Sequence, residues 1–206
     1  MLTRETGAKG ASDCLAPPGW AQASTGANIT ECPVNTYKEG WNRNNCTSCG
    51  TNVVTLETGT VSKDGCLVPP GFGLTQLSPS LVASPCVANS YGDDEYRVAV
   101  ASARCTSCPP NMYTSDKWGT AAPANGYQNQ TECLVDAGWG TTETSVDICQ
   151  VGFYNAGQNR LPCTPCDNGY TTLGTNSTSV NNCVIKAGWF YDAGKSLPAP
   201  CDKGTY

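Results

Sequence analysis

The chain has 206 residues, among them 14 Cys, 22 Gly and 14 Pro but no His, and carries a formal charge of −5. Leu, Val, Ile and Phe together number 31, about 15%, which lies below the roughly 20% needed for an ordinary apolar core. Only 14% of residues are charged, so the charge-driven disorder that usually accompanies such a deficit is excluded as well.

Met1 to Gly10 lacks an apolar run of signal-peptide length, and no apolar stretch of membrane-spanning length follows, so the segment is read without a leader or a span, as a fragment or mature piece. Residues 1–13 read as an N-terminal linker. With 12 Lys plus Arg and no basic run, the chain has little to neutralise phosphates, which argues against nucleic acid and against an anionic membrane surface.

From Cys14 onward a four-cysteine unit recurs. Its first element is a Cys followed five residues later by Gly and then an aromatic: Cys14 to Trp20, Cys66 to Phe72, Cys133 to Trp139 and Cys183 to Trp189. The second places Tyr five residues after Cys: Cys32 to Tyr37, Cys86 to Tyr91, Cys149 to Tyr154 and Cys201 to Tyr206. The third is C-T-[SP]-C at Cys46 to Cys49, Cys105 to Cys108 and Cys163 to Cys166. The chain thus reads as Cys-rich repeat 1 over 14–65, repeat 2 over 66–132 with expanded loops, repeat 3 over 133–182 and a partial repeat 4 over 183–206. Serial units of this kind contact mainly their neighbours, so an elongated array is expected. The fold class predicted is small and disulfide-rich, mostly irregular with short β-hairpins and little hydrophobic core.

Three residues after the second Cys stand Asn35, Asn89, Gly152 and Gly204; three after the closing Cys of each C-x-x-C stand Asn52, Asn111 and Gly169. Gly and Asn tolerate positive φ best, which predicts a left-handed turn at each position. Short paired pieces are expected around Thr51 to Leu56, and Glu95 to Ala103 reads as either one helical turn or a strand.

An even, regularly spaced cysteine set in a chain of this size indicates disulfides made in an oxidising compartment. Cysteines of a structural C-x-x-C rarely bond each other. Nearest-neighbour pairing then gives Cys32–Cys46, Cys49–Cys66, Cys86–Cys105, Cys108–Cys133, Cys149–Cys163 and Cys166–Cys183, with Cys14 and Cys201 pairing outside the segment. A scheme crossing first to third and second to fourth within a unit stays open at this stage. Zinc is disfavoured, since the C-x-x-C pairs are more than fifty residues apart and His is absent. A redox C-x-x-C would need an exposed low-pKa thiol on a βαβ scaffold that nothing here suggests.

The lack of His removes the usual general base, and no catalytic residue, metal or cofactor is read from the sequence. Asp93-Asp94-Glu95 lacks the spaced oxygen ligands of a calcium loop and reads as solvated acid. Four N-glycosylation sequons begin at Asn28, Asn45, Asn129 and Asn176, and Asn45 is the weakest because a half-cystine stands at its centre. Trp20, Phe72, Trp139 and Trp189 carry two readings: covers for the disulfide at each junction, or a periodic interface for a partner. Trp41 and Trp118 fall outside the pattern and are expected to be more exposed.

The run C-P-V-N-T-Y, then C-T-S-C, then a Gly/Thr-rich loop and a closing Cys resembles the cysteine-rich repeats of the ephrin-receptor-like and tumour-necrosis-factor-receptor-like (EGF-like) class. With C-x-x-x-x-G-[WF] between units, residues 14–206 are also similar to arrays in algal and other protist surface glycoproteins, including mastigoneme proteins. The resemblance implies structural half-cystines and no catalytic residue. It implies a non-enzymatic extracellular glycoprotein segment, a rod or filament element at a cell or ciliary surface, whose partners are other copies or subunits of the assembly and N-linked glycans. A ligand-binding region of a receptor or adhesion ectodomain is the alternative.

Overall fold

Extended runs interrupted every few residues by Gly, Pro or a half-cystine permit hairpins but no long strand. The computed structural model of the protein shows this pattern over residues 2–3, 14–22 and 28–204, the residues it describes. Among them there is no α-helix, only single 3₁₀ turns, and the longest strand is Phe72–Gln76. Most of the expected 1–13 linker, the side chain of Cys14 and Tyr206 lie outside the described residues, so the expected pairing of Cys14 does too.

Hairpins recur with the cysteine motif. Between the first and second Cys of each unit, an antiparallel pair starts at the aromatic: Trp20–Gln22 with Ile29–Glu31, Phe72–Gln76 with Val82–Pro85, Trp139–Thr141 with Val146–Ile148 and Trp189–Asp192 with Leu197–Pro200. After the second Cys, Thr36–Tyr37 pairs with Thr47–Ser48, and Phe153–Tyr154 with Thr164–Pro165. The closing segment of a unit pairs with the opening of the next, as in Met112–Tyr113 with Leu134–Val135 and Tyr170–Thr172 with Cys183–Ile185. In repeat 1 that pairing shrinks to a single bridge, Val54 to Leu67. Asn52 at φ 55° turns the chain inside Thr51 to Leu56, so this segment makes isolated bridges and no strand. Within Glu95 to Ala103, Arg97–Val98 forms a short strand against Leu67–Val68.

All seven positions predicted to turn left-handed do so: Asn35, Asn52, Asn89, Asn111, Gly152, Gly169 and Gly204 have φ between 55° and 94°. Six disulfides link Cys32–Cys46, Cys49–Cys66, Cys86–Cys105, Cys108–Cys133, Cys149–Cys163 and Cys166–Cys183, with Cα separations of 5.5 to 5.8 Å. Each closes a loop between neighbouring cysteines, and no crossed pair occurs among the described residues. Cys201 is half-buried and unbonded. Closing loops of 14 to 25 residues stabilises the folded chain by roughly 3 kcal/mol each through the unfolded state in the loop-entropy description.

The chain divides into two compact units, one built from 1–87, 91–106 and 123–129, the other from 88–90, 107–122 and 130–206. The first holds a small core of Cys49, Val53, Cys66, Val68, Leu74, Leu81, Ala83, Ala99 and Ala103, with Tyr37 and Phe72 packed against it. Ala99 and Ala103 come from the expanded loop of repeat 2, so that expansion supplies core and is more than a surface excursion. The second unit buries Met112, Val135 and Cys149 among a few other side chains.

A backbone crossing recurs at the Gly before each aromatic. In repeat 3, Gly138 N–H donates to Asn155 O, Cys149 N–H to Gly138 O and Asn176 N–H to Cys149 O, each at 2.8 Å. Repeat 2 repeats it through Gly71, Asp93, Cys86 and Tyr127, and repeat 1 through Gly19, Lys38, Cys32 and Gly59. Only Gly fits: φ at Gly71 is +74°, and a Cβ there would lie 2.1 Å from Asn125 O. At Gly188 of repeat 4 the same φ, +78°, occurs with nothing within 4 Å of an added Cβ. Gly71→Ala is therefore expected to destabilise by about 3 kcal/mol, combining the left-handed penalty with overpacking. Gly188→Ala is expected to cost only about 1–2 kcal/mol. Urea unfolding of the two variants checks the difference; equal losses would contradict the crossing.

Five of the six bridges have at least one buried half-cystine, whereas Cys166 and Cys183 are both half-buried. Because reduction requires thiolate access to a sulfur, limited reduction followed by alkylation and peptide mapping is expected to label Cys166 and Cys183 first. Earlier labelling of Cys49 and Cys66 would contradict this order.

Candidate functional site

A polar clamp inside each repeat ties the loop after the second Cys to the loop after the closing Cys. The left-handed residue presents both backbone groups inward: Asn35 O, Asn89 O and Gly152 O accept from the N–H of Cys49, Cys108 and Cys166 at 2.8 to 2.9 Å. Its N–H donates to a buried threonine hydroxyl, Asn35 to Thr55 Oγ1 at 2.8 Å, Asn89 to Thr114 Oγ1 at 2.9 Å and Gly152 to Thr172 Oγ1 at 2.9 Å. Each hydroxyl then donates onward, to Glu57 O, to the Asp116 carboxylate and to Gly174 O. Thr114 and Thr172 are fully buried. These threonines escaped the sequence reading, although the signal was present: Thr stands six residues after the closing Cys in all three repeats.

Cations gather backbone carbonyls where apolar side chains are few. Lys38 is 2% exposed, and its Nζ donates to Ala16 O, Gly40 O and Pro17 O at 3.0, 3.1 and 3.2 Å. Burial pushes its ammonium below the ordinary lysine range. Arg97 donates to Phe72 O and Arg104 O and pairs with Asp93 at 2.9 Å. Arg160 donates to Gln130 O and Cys133 O. Asp93, the first residue of the acidic run, thus serves an ion pair, and among the described residues no three His, Cys, Asp or Glu side chains form a metal-holding group.

Asn28, Asn45 and Asn176 are exposed, while Asn129 is half-buried just before the 3₁₀ turn Gln130–Glu132. Asn176 is left-handed, φ 61°, and its side-chain oxygen sits over Gly138.

The repeat aromatics Trp20, Phe72, Trp139 and Trp189 are all half-buried, each in different surroundings. Phe72 packs on the first unit's core, and the Trp189 ring lies against Gly169. The position after the aromatic faces the third Cys: a Cβ at Gly73 or Gly140 would lie 2.6 or 2.7 Å from the Sγ of Cys105 or Cys163. Trp139 lines an open cleft of about 510 Å³ with Ile148, Phe153, Pro162, Asp147 and Gln150. Of the two tryptophans outside the pattern, Trp41 is exposed, whereas Trp118 is half-buried and meets the Tyr113 ring edge-on at 6.5 Å.

Residues 22–66 match the family described as tyrosine-protein kinase ephrin type A/B receptor-like. That window contains Cys32, Cys46, Cys49 and Cys66, and therefore two complete bridges. The chain is also similar to the Cysteine repeat modular protein B of Toxoplasma gondii, with 28% identity over 155 residues, covering 73% of this chain and 2% of that protein. The chain thus spans a small part of the relative's length. These similarities and the bridge pattern place it in the class of cysteine-rich repeat proteins.

The clamp gives a direct test. Thr172→Val keeps the shape but leaves Gly152 N–H without its buried acceptor, which is expected to cost about 1–3 kcal/mol, while Thr172→Ser retains most of the stability. Chemical unfolding of both variants measures this, and equal stability of the Val and wild-type chains would refute the clamp.

Proposed function

We propose that the chain is a non-catalytic structural segment of an extracellular glycoprotein, in which serial disulfide-closed repeats act as a semi-rigid spacer within a surface or filament assembly. The observation that carries this reading is the repetition of one covalent and hydrogen-bonded frame: every complete repeat has the same Gly crossing, the same Thr clamp and bridges only between neighbouring cysteines. Such units extend by addition, each packing mainly on its neighbour, as in the core shared by the first two repeats. We assign the repeat boundaries at 14, 66, 133 and 183 on the cysteine motif, a division the recurring frame supports.

A disulfide framework fits an oxidising, extracellular setting, and no helix among the described residues is long and apolar enough to cross a membrane. N-linked glycans at the exposed Asn28, Asn45 and Asn176, and at Asn129, would add a polar coat, and the assembly would consist of further copies or subunits. A cell or ciliary surface, as in mastigoneme-like filaments, is the setting we assign. The match of residues 22–66 to the ephrin-receptor-like family favours a second reading, a ligand-binding region of a receptor or adhesion ectodomain. A single span followed by a signalling region elsewhere in the gene product would select it.

A spacer must be long. Solution scattering of the oxidised chain is expected to give a radius of gyration clearly above the value of about 17 Å for a compact domain of this length. A value at the compact figure would overturn the rod reading.

A further inference from the structure

The junctions between repeats share one geometry, so each serves as a control for the next. Where repeat 1 meets repeat 2, Thr51 N–H donates to Leu81 O and Ala83 N–H donates to Thr51 O, both at 2.9 Å. The hairpin of repeat 2 thus reaches back over the residues after Cys49, and its extended strand seals the junction. Leu81 and Ala83 are buried there with Val53 and Leu74. Where repeat 3 meets repeat 4, the hairpin again covers the residues after the closing Cys, since a Cβ on Gly169 would lie 2.5 Å from the Cβ of Pro198.

Where repeat 2 meets repeat 3 this cover is missing. The first and second Cys stand 20 residues apart in repeat 2, Cys66 to Cys86, and 18 apart in repeat 4, Cys183 to Cys201, but only 16 apart in repeat 3, Cys133 to Cys149. The shortened hairpin turns back at Thr142–Ser145, closed by Thr142 N–H to Ser145 O at 2.8 Å, and among the described residues no backbone bond joins it to Pro109 or Pro110. Thr144, the counterpart of Leu81 five residues before the second Cys, is exposed. An open cleft of about 580 Å³ remains between Pro109, Pro110, the hairpin turn, Gln130 and Arg160. Pro110 stands where repeat 1 has Thr51. It has no N–H to give, but its carbonyl accepts no backbone bond among the described residues.

Arg160 supplies the charge. Its Nη1 donates to Gln130 O at 2.7 Å and to Cys133 O at 2.8 Å, which fixes the guanidinium plane and leaves Nε and Nη2 without a partner among the described residues. The sealed junction has Ser102 at the corresponding place, three residues before the third Cys, so the frame itself needs no cation here. Glu143 on the hairpin turn is the other charged lining residue and forms no ion pair with Arg160. A guanidinium with one nitrogen tied down and its Nε–Nη2 edge free matches a carboxylate, which accepts two parallel N–H bonds.

We propose that this cleft takes an extended segment of a partner polypeptide carrying Asp or Glu. The carboxylate accepts from Arg160 Nε and Nη2, and a backbone N–H of the segment donates to Pro110 O, as Ala83 donates to Thr51 in the sealed junction. The partner adds a strand where the chain elsewhere adds its own. The proposal does not depend on the array forming a rod.

The test uses the whole oxidised chain and a short peptide, blocked at both ends, whose one charged residue is a central Glu, compared with the same peptide carrying Gln. NMR follows the Arg160 Nε–H and the amides of Thr141 to Val146. Saturable shifts are expected with Glu and not with Gln. Binding of the Glu peptide should weaken roughly tenfold or more in Arg160→Ser, a loss matching one hydrogen-bonded charged contact. Ser is native at the corresponding position of repeat 2, and unchanged amide shifts outside repeats 2 and 3 verify folding of the variant. The comparison of Glu with Gln needs only the unaltered chain, so it decides even where the variant fails to fold. Equal responses to the two peptides, unchanged affinity in a folded Arg160→Ser chain, or no saturation by about 10 mM peptide would each overturn the proposal. Acetate binding as tightly as the Glu peptide would overturn it in favour of a small-anion site.

Discussion

The crossing at the second cysteine of each repeat is the constraint on which the other contacts depend. There one half-cystine is fixed covalently, donates its N–H to the crossing Gly and accepts from the loop that ends the repeat. Three chain segments meet at one residue, which is buried in repeats 1 to 3 as Cys32, Cys86 and Cys149. With so few large aliphatic side chains, backbone hydrogen bonds around a sulfur bridge take the place of side-chain packing. The close approach explains the absence of a side chain at Gly19, Gly71 and Gly138: a Cβ on any of them would meet an oxygen at 1.9 to 2.2 Å.

Much of this frame was legible in the sequence because it depends on residue types with few alternatives. Asn and Gly alternate at the left-handed positions because those two types pay least for positive φ, and the hairpins follow the spacing of Gly, Pro and Cys. The Thr clamp was harder to read, since a threonine in a polar loop looks like any other until its hydroxyl is seen to be buried at Thr114 and Thr172. Lys38 was not legible at all. Its ammonium is enclosed by the carbonyls of the distant Ala16 and Pro17 and of the nearby Gly40, and a carbonyl cage has no side-chain signature. The aromatic row read from the motif spacing divides into different surroundings, because what flanks each ring varies from repeat to repeat while the ring's own position does not.

Variation on a constant frame is also how such a chain acquires different surfaces. Repeat 2 lengthens its loops and builds the first unit's core from Leu81, Ala83, Ala99 and Ala103. Repeat 3 keeps short loops and changes single residues, Phe153, Pro162 and Asp147, around Trp139. Neither change disturbs the cysteine spacing within the C-x-x-C or the turn after it. Bridges carry much of the stability, so residues outside the crossing, the clamp and the small core are freer to diverge than those of a packed core.

The bridges also leave some of the backbone unspanned. Loops 32–46, 49–66, 86–105, 108–133, 149–163 and 166–183 are short-circuited by sulfur, whereas the hairpins within 67–85 and 134–148 lie between bridges and are held without a covalent link, by hydrogen bonds and, in 67–85, by the first unit's core. Tension applied to the two ends would pass straight across each cystine and reach those hairpins first. Together with the hairpins 20–31 and 189–200, which no bridge among the described residues spans either, they are the compliant lengths of an otherwise braced chain, so stretching would draw slack from these hairpins and then meet covalent resistance.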